Sequence, residues 1–226
     1  MIPLVLLPGM MCDARLFAPQ IAALSAGRTI VCADLSGADD MTGLALSVLA
    51  DAPPRFALAG LSMGGIVAME ILRIAPERVA RIALIATNPL AEAPSVRDAR
   101  AAQIARAETD LAGLMDEVFI PRYFQRPDSA AQTLCRDMAL SLGSAVFARQ
   151  SRALRDRPDQ TATLAGVRCP ALILHGDHDR LCPPERHELM HRLLPQATRV
   201  TLADIGHLPT LEAAQQTTEG LRRWLD

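Results

Sequence analysis

A serine hydroxyl becomes a useful nucleophile only when a base takes its proton and a carboxylate orients that base. One stretch of this chain offers such a serine. Gly60-Leu61-Ser62-Met63-Gly64-Gly65 spells G-x-S-x-G between a short apolar run, Phe56-Ala57-Leu58-Ala59, and an apolar segment of helical character, Ile66 to Ala75. That strand–turn–helix setting is the one called a nucleophile elbow. The turn is so tight that side chains two before and two after the serine would collide with neighbouring backbone. Gly60 and Gly64 remove the collision, leaving Ser62 projecting at the tip in a strained conformation. The helix that starts there aims backbone N–H groups and its positive dipole end at whatever Ser62 attacks. A glycine-rich turn of a doubly wound fold, with Ser62 as a helix N-cap, would spell the same residues. The serine therefore needs partners elsewhere in the chain.

Two later strand-like runs end in loops that can supply them. Ala171 to His175 (ALILH) is followed by Gly176-Asp177-His178-Asp179, and Arg199 to Leu202 by Asp204-Ile205-Gly206-His207. Loops at the carboxyl ends of strands are where open α/β sheets bind ligands. His207 is the candidate base, and Asp177 and Asp179 compete for the orienting role. Asp34 and Asp204 also end strands but stand off the expected loops, and both read as structural. His175 and His178 read as packed or solvent-edge residues. Cys12 has no histidine paired with it in any motif and reads as a small packing residue.

Three further patterns compete for a role. His187-Glu188-Leu189-Met190-His191 spells H-E-x-x-H, which on a helix can place two imidazoles one turn apart around zinc. Leu189, Met190, Leu193 and Leu194 form the apolar stripe there, leaving the histidines at its edge and the segment on a peripheral helix. Glu212 is a conceivable third ligand, but it falls on the terminal helix beside the histidine loop. Arg149, Arg152 and Arg155 form a helical row that could grip a carboxylate or an acidic carrier protein; a solvated face threaded with Asp156 and Asp159 is the plainer account. Met10, Met11, Met63, Phe119, Tyr123 and Phe124 could line an acyl pocket. With aromatics at 3% of the chain, that pocket is expected to be mostly aliphatic and adaptable.

The elements that must position these groups alternate. Ile2 to Leu7, Thr29 to Ala33, Phe56 to Leu61 and Arg81 to Ala86 read as strands. Arg15 to Ala26, Thr42 to Ala52 and Ser62 to Ala75 read as the intervening helices. Such alternation means βαβ units and a parallel sheet covered on both faces. The rhythm breaks between about Leu90 and Gly166, where Val96 to Glu108, Leu111 to Phe119, Ser129 to Leu142 and Ala145 to Arg155 are helix-like. That block reads as a cap or lid, with ten arginines and ten acidic residues and so no overall charge to steer a ligand. Sheet rhythm then resumes at Ala171, with a helix over Pro184 to Leu194, a strand over Arg199 to Leu202 and a last helix from about Leu211 to Leu225.

Composition sets outer limits. Half of the 226 residues are hydrophobic, enough for a sizeable core, and no run reaches membrane-spanning length. A formal charge of −2 argues against nucleic acid as a partner. All the basic residues are arginines, a pattern that reads as codon bias. Five scattered cysteines without a C-x-x-C pair suit free thiols in a reducing compartment, and a cytoplasmic protein is the expectation. MIPLVLLPGMM reads as a first strand and not as a signal peptide.

Taken together, these motifs resemble the α/β-hydrolase fold superfamily over essentially the whole chain, trimmed of that fold's first two strands. LLPG-Met10 resembles the oxyanion-loop segment, GLSMGG the elbow, ALILHGDHDRLCPP the acid loop and IGHLPTLE the histidine loop. The order Ser62, acid, His207 is the chain order of that superfamily. Small bacterial carboxylesterase-like members with a helical cap are the most similar, among them the pimeloyl-carrier-protein methyl esterase and cofactor-free haloperoxidase types. The resemblance implies an α/β fold with a mostly parallel sheet of about six strands, helices on both faces and an inserted helical cap. Residues 1–89 and 167–226 would form the core and 90–166 the cap. The family's G-x-x-D spacing from Gly176 selects Asp179. Ser62 would be the nucleophile, His207 the base and then acid, and Asp179 the orienting carboxylate, with the backbone N–H groups of Met63 and Met10 holding the oxyanion. Pro8-Gly9 stands where the family usually has His-Gly, a departure that leaves a backbone donor possible but removes a familiar anchor. The implied activity is hydrolysis of a carboxylic ester or thioester of small or medium acyl size, on a small-molecule substrate, with no metal or organic cofactor. Perhydrolysis, carbon–carbon cleavage or lyase chemistry could use the same groups, and some members of the fold are non-catalytic ligand-binding proteins.

Overall fold

Strands with few polar interruptions can be buried on both faces, as the central ones are here. The computed structural model describes residues 1–226. Six strands form one sheet: β1 (Leu4–Leu7), β2 (Ile30–Cys32), β3 (Phe56–Leu61), β4 (Val79–Ile85), β5 (Ala171–Gly176) and β6 (Thr198–Leu202). The order is β2-β1-β3-β4-β5-β6 and every pairing is parallel. The helices are α1 (Ala18–Leu24), α2 (Met41–Asp51), α3 (Met63–Ile74), α4 (Pro94–Leu114), α5 (Ser129–Arg155), α6 (Thr161–Gly166), α7 (Pro184–Leu193), α8 (Pro209–Glu212) and α9 (Ala214–Leu225).

Successive side chains leave a strand on opposite faces. Leu4 and Leu6 therefore enter one apolar layer, shared with α1 and α9, while Val5 and Leu7 enter the other, shared with α2, α3, α6 and α7. The chain leaves β1 for β2 on one side and returns to β3 on the other, with Leu7 in register with Gly60. That reversal sets the loop after β1 directly beside the elbow after β3, the position at which such sheets open a crevice.

The helical block between β4 and β5 differs in detail from its sequence pattern. Two long helices replace four short ones, yet each breaks between the predicted pair. Asp110 leaves the helical region at φ −149° and ψ 65° inside α4, and Gly143 does so at φ 82° inside α5. The Asp110 carboxylate accepts the Gly113 N–H at 2.8 Å, capping the segment that follows its own break. That segment ends in a wide helical turn over Met115–Phe119 and a tight one over Ile120–Arg122. Helix α6 has no counterpart in the predicted pattern, because six residues are too few to show a period. Near the termini, the helix expected from Arg15 divides into a tight turn, Ala14–Phe17, and α1, whose Pro19 occupies the first turn, where a missing N–H costs nothing. The terminal helix divides at Ala213 (φ −137°) into α8 and α9. Buried residues of the insertion, among them Leu114, Tyr123, Met138 and Phe147, join the same apolar layer as α1 and α9.

Candidate active site

Ser62 stands at φ 54°, ψ −116°, between β3 and α3. A residue with a Cβ is uncommon there, and the conformation stores strain on the order of 1–3 kcal/mol. The end of β4 holds it in place. The Ser62 N–H donates to the Ile85 carbonyl at 2.9 Å, and the Thr87 hydroxyl donates to the Ser62 carbonyl at 2.7 Å. The two flanking glycines have separate duties. A Cβ on Gly60 would meet the Gly64 carbonyl within the turn, whereas one on Gly64 would meet the Leu7 carbonyl of β1.

The predicted partners converge on this serine. Ser62 Oγ lies 2.9 Å from His207 Nε2, and His207 Nδ1 lies 2.9 Å from each carboxylate oxygen of Asp179. Asp179 Oδ1 also accepts the N–H groups of Leu181 and Cys182, each at 2.9 Å. Burial pushes the Asp179 carboxyl upward, but His207 and these two N–H groups outweigh it and hold it below the usual carboxylate range. An ionised Asp179 fixes a proton on His207 Nδ1 and frees Nε2 to take one from Ser62.

Asp177 does not reach His207. It accepts the Ile205 N–H at 3.4 Å and stands 3.9 Å from His178, tying the two loops together. Asp204, at φ 59°, pairs with Arg126 at 3.1 Å, and Asp34 caps its own turn through Ser36. Glu212 is neither a free carboxylate nor a metal ligand. It accepts N–H groups of Gly206, Leu208 and Gln125 at 3.0, 3.0 and 2.8 Å, and the His207 N–H donates to the Tyr123 carbonyl at 2.7 Å. The histidine loop is thus clamped to the insertion, a duty for Glu212 that no local motif announces.

Beside Ser62, Met63 begins α3, so its N–H belongs to the unpaired first turn. Met10 follows β1, and its N–H donates to no group of the protein. The Met11 N–H is already committed to Gln150 Oε1 at 2.8 Å, while Gln150 Nε2 donates to the Leu35 carbonyl at 3.0 Å. Gln150 of α5, fully buried, therefore anchors the loop that Pro8 leaves without a histidine. The two N–H groups named from sequence remain available to an oxyanion.

A cavity of about 250 Å³ opens onto Ser62, His207, Gly9 and Met10. Phe119 and Tyr123 line it, as expected. Met11, Met63 and Phe124 do not: Met11 turns its side chain into the apolar layer from a backbone at φ 56°, Phe124 packs in the same layer, and Met63 packs in the opposite one. The expected aliphatic wall is present in Leu61, Ile66, Leu181 and Leu208, but Arg100, Arg122, Arg157 and Arg186 share it, which residue spacing did not disclose. The row Arg149, Arg152 and Arg155 is occupied elsewhere, with the Ser36 carbonyl at 2.7 Å, Asp39 at 3.8 Å and Asp156 at 2.6 Å.

The H-E-x-x-H segment resolves differently from its expected edge position. His187 is buried and stacks on His175 at 4.1 Å between ring centres, and burial pushes it down to about 3, so it is neutral. The His, Cys, Asp and Glu donors that could meet around one cation are Asp179, Cys182 and His207, within 4.8 Å of one another. A cation there would compete with the Asp179–His207 hydrogen bonds. Cys12 also borders the cavity, and burial pushes its thiol well above the ordinary value, which suits a packing residue better than a nucleophile.

A doubly covered parallel sheet bearing Ser, Asp and His on the loops after β3, β5 and β6 defines a class, the α/β hydrolases. The chain belongs to the alpha/beta hydrolase family, whose family model matches residues 4–219. It is 29% identical over 252 aligned positions to a pimeloyl-[acyl-carrier protein] methyl ester esterase of Xanthomonas axonopodis pv. citri, covering 98% of this chain and 94% of that one. A malate-bound thermophilic esterase from Thermogutta terrifontis superposes with a TM-score of 0.92 at 29% identity, over 100% of this chain and 89% of the other. The enol-lactonase of Burkholderia xenovorans shares the fold, with a TM-score of 0.88 at 23% identity, over 100% and 92% of the two chains.

Proposed function

We propose that this protein is a serine hydrolase cleaving a carboxylic ester of small or medium acyl size, with Ser62, His207 and Asp179 as its catalytic residues. The observation that carries the reading is the continuous hydrogen-bonded line from Ser62 Oγ through His207 to a buried, ionised Asp179. In the first half-reaction Ser62 Oγ attacks the ester carbonyl as His207 Nε2 takes its proton. The carbonyl oxygen, now negative, is received by the N–H groups of Met63 and Met10, each worth roughly 3 kcal/mol to such a transition state. His207 returns the proton to the departing alcohol, leaving an acyl-enzyme. Water, deprotonated by His207, attacks that acyl group, and Ser62 leaves with the proton restored.

Residues 90–166 form the cap in this reading, roofing the cavity through Phe119, Tyr123, Arg100 and Arg157. Relatives named as acting on acyl-carrier-protein esters support ester chemistry. A small-molecule ester is the substrate proposed, because the half-buried arginine row that might greet an acidic carrier is already paired. Five free cysteines fit a cytoplasmic setting; no helix is long and apolar enough to cross a membrane. The test is labelling by a fluorophosphonate probe together with turnover of short-chain p-nitrophenyl esters, both expected in the wild type and absent from Ser62→Ala. Labelling that persists in the variant would remove Ser62 from the assignment.

A further inference from the structure

The wall of the Ser62 cavity carries a charge that neither the chain nor its insertion shows. The whole chain is at −2 and the insertion is balanced, yet four guanidinium groups face this space against one lining carboxylate, Glu92. Glu92 is shared. Its Oε2 accepts Arg100 Nε at 2.8 Å and its Oε1 accepts Arg157 Nη1 at 2.5 Å, with side-chain exposures of 3%, 7% and 9% for the three residues. Two buried cations thus divide one buried anion. Burial, with Arg100 beside it, holds the Arg157 guanidinium below its ordinary value despite Glu92. The guanidinium groups of the remaining pair, exposed Arg122 and half-buried Arg186, make no hydrogen bond or ion pair with another group of the protein.

A structural duty explains part of this. Arg157 Nε also donates to the Leu90 carbonyl at 2.9 Å, so the Glu92 pairings clamp the start of the insertion to its end. One arginine and one glutamate would suffice for that clamp. A second desolvated guanidinium adds a cost unless an anion arrives to share it. The excess also borders the loops that carry the reacting groups. Arg100 Nη1 is 3.6 Å from the Met10 sulfur, and Arg157 and Arg186 act on Cys182, whose backbone N–H holds Asp179.

We infer that the ester this site prefers carries a carboxylate of its own, a half-ester of a short dicarboxylic acid, gripped by Arg186, Arg122 and the Arg100–Arg157 pair while Ser62 attacks its ester carbonyl. The planar guanidinium fork matches a carboxylate through two parallel hydrogen bonds. A cavity of about 250 Å³ suits a short spacer between the two ends. This deepens the hydrolase reading of Ser62 and rests on it.

The test compares a monomethyl dicarboxylate with its ester-amide isostere, in which –CONH₂ replaces the free carboxylate, over a series of spacer lengths. The wild type is expected to favour the carboxylate about 10- to 100-fold in kcat/KM, the worth of a charge-assisted pair of hydrogen bonds. In Arg186→Gln combined with Arg122→Gln that preference should fall at least fivefold, through KM, while Arg155→Gln, on the outer face, keeps it. Calorimetry on Ser62→Ala should show the free dicarboxylate binding and the diamide failing to bind. Equal kcat/KM for the two esters in the wild type, or a preference untouched by the double substitution, overturns this inference and leaves the hydrolase reading standing. Turnover of neither ester, with no phosphonate labelling at Ser62, overturns both.

Discussion

The strand-end loops and the helical insertion contribute to one cavity under opposite constraints. At the elbow, backbone meets backbone. Gly64 abuts the Leu7 carbonyl, Gly176 the Ile205 carbonyl, and the flanking strands are locked in a parallel register. Around Gly143 of the insertion, by contrast, an added Cβ would meet nothing within 4 Å. The sheet side spends its sequence on exclusion, leaving one position for each functional atom. The insertion spends its sequence on charge and on where long helices break, so many sequences could occupy it. In the proposed function, chemistry belongs to the first region and choice of substrate to the second.

The sharpest separation should come from the carboxylates of the acid loop. Asp179→Asn is expected to lower kcat about 10³- to 10⁴-fold, because the amide can no longer stabilise a positively charged His207. Asp177→Asn, two residues away, should change kcat by less than about threefold. Steady-state kinetics on one p-nitrophenyl ester measures both, and equal losses would dissolve the distinction drawn within that loop.

Packing offers the next contrast. Gly64→Ala must push β1 and the elbow apart and is expected to cost more than about 3 kcal/mol, enough to leave little folded protein. Gly143→Ala has room but must hold φ 82° and ψ 171°, a region nearly confined to glycine, at a cost of about 1–3 kcal/mol. Urea unfolding of the two variants orders them; a mild Gly64→Ala would show that the crevice is softer than its contacts imply.

Gln150 links the regions and should give an intermediate effect. Gln150→Ala frees the Met11 N–H and the Leu35 carbonyl and loosens the loop carrying the Met10 donor. A fall of about 10-fold in kcat with KM little changed is expected. A change confined to KM would assign Gln150 to binding instead.

The last contrast concerns pH. His187 titrates near its ordinary value when unfolded but is held down to about 3 when folded. Its stabilisation is complete above about pH 6.5 and is lost as pH falls toward the folded value, because the unfolded chain binds a proton that the folded one refuses. The slope contributed is at most about 1.4 kcal/mol per pH unit. Burial lowers His175, stacked against it, in the same direction. His187→Phe keeps a ring on that stack and should flatten the acid limb of a stability–pH curve while leaving a residual slope from His175. An unchanged limb would place the acid sensitivity elsewhere.

How legible each feature was follows from the range of the forces behind it. Ser62, Asp179 and His207 are legible because each lies on a loop that follows a strand, and a parallel sheet brings such loops to one edge. The breaks at Asp110 and Gly143 were readable as gaps between helical patterns, although not as kinks within single helices. Met11, Met63 and Phe124 stay out of the cavity wall, since apolar composition near a site does not say which way a side chain turns. Glu212 and Gln150 were invisible as positioning groups. Each acts on segments far away in the chain, Gln150 on Met11 across 139 positions and Glu212 on Gln125 across 87.

Local periodicity, and glycines with no steric alternative, already specify the sheet, the elbow and the chain order Ser62, Asp179, His207. The character of the cavity emerges only on folding. Arg100, Arg122, Arg157 and Arg186 lie on different turns and helices with no common spacing, and their charges become one field only when the insertion folds over Ser62. Electrostatic interactions act through space and desolvation acts through burial, and neither leaves a period in the chain.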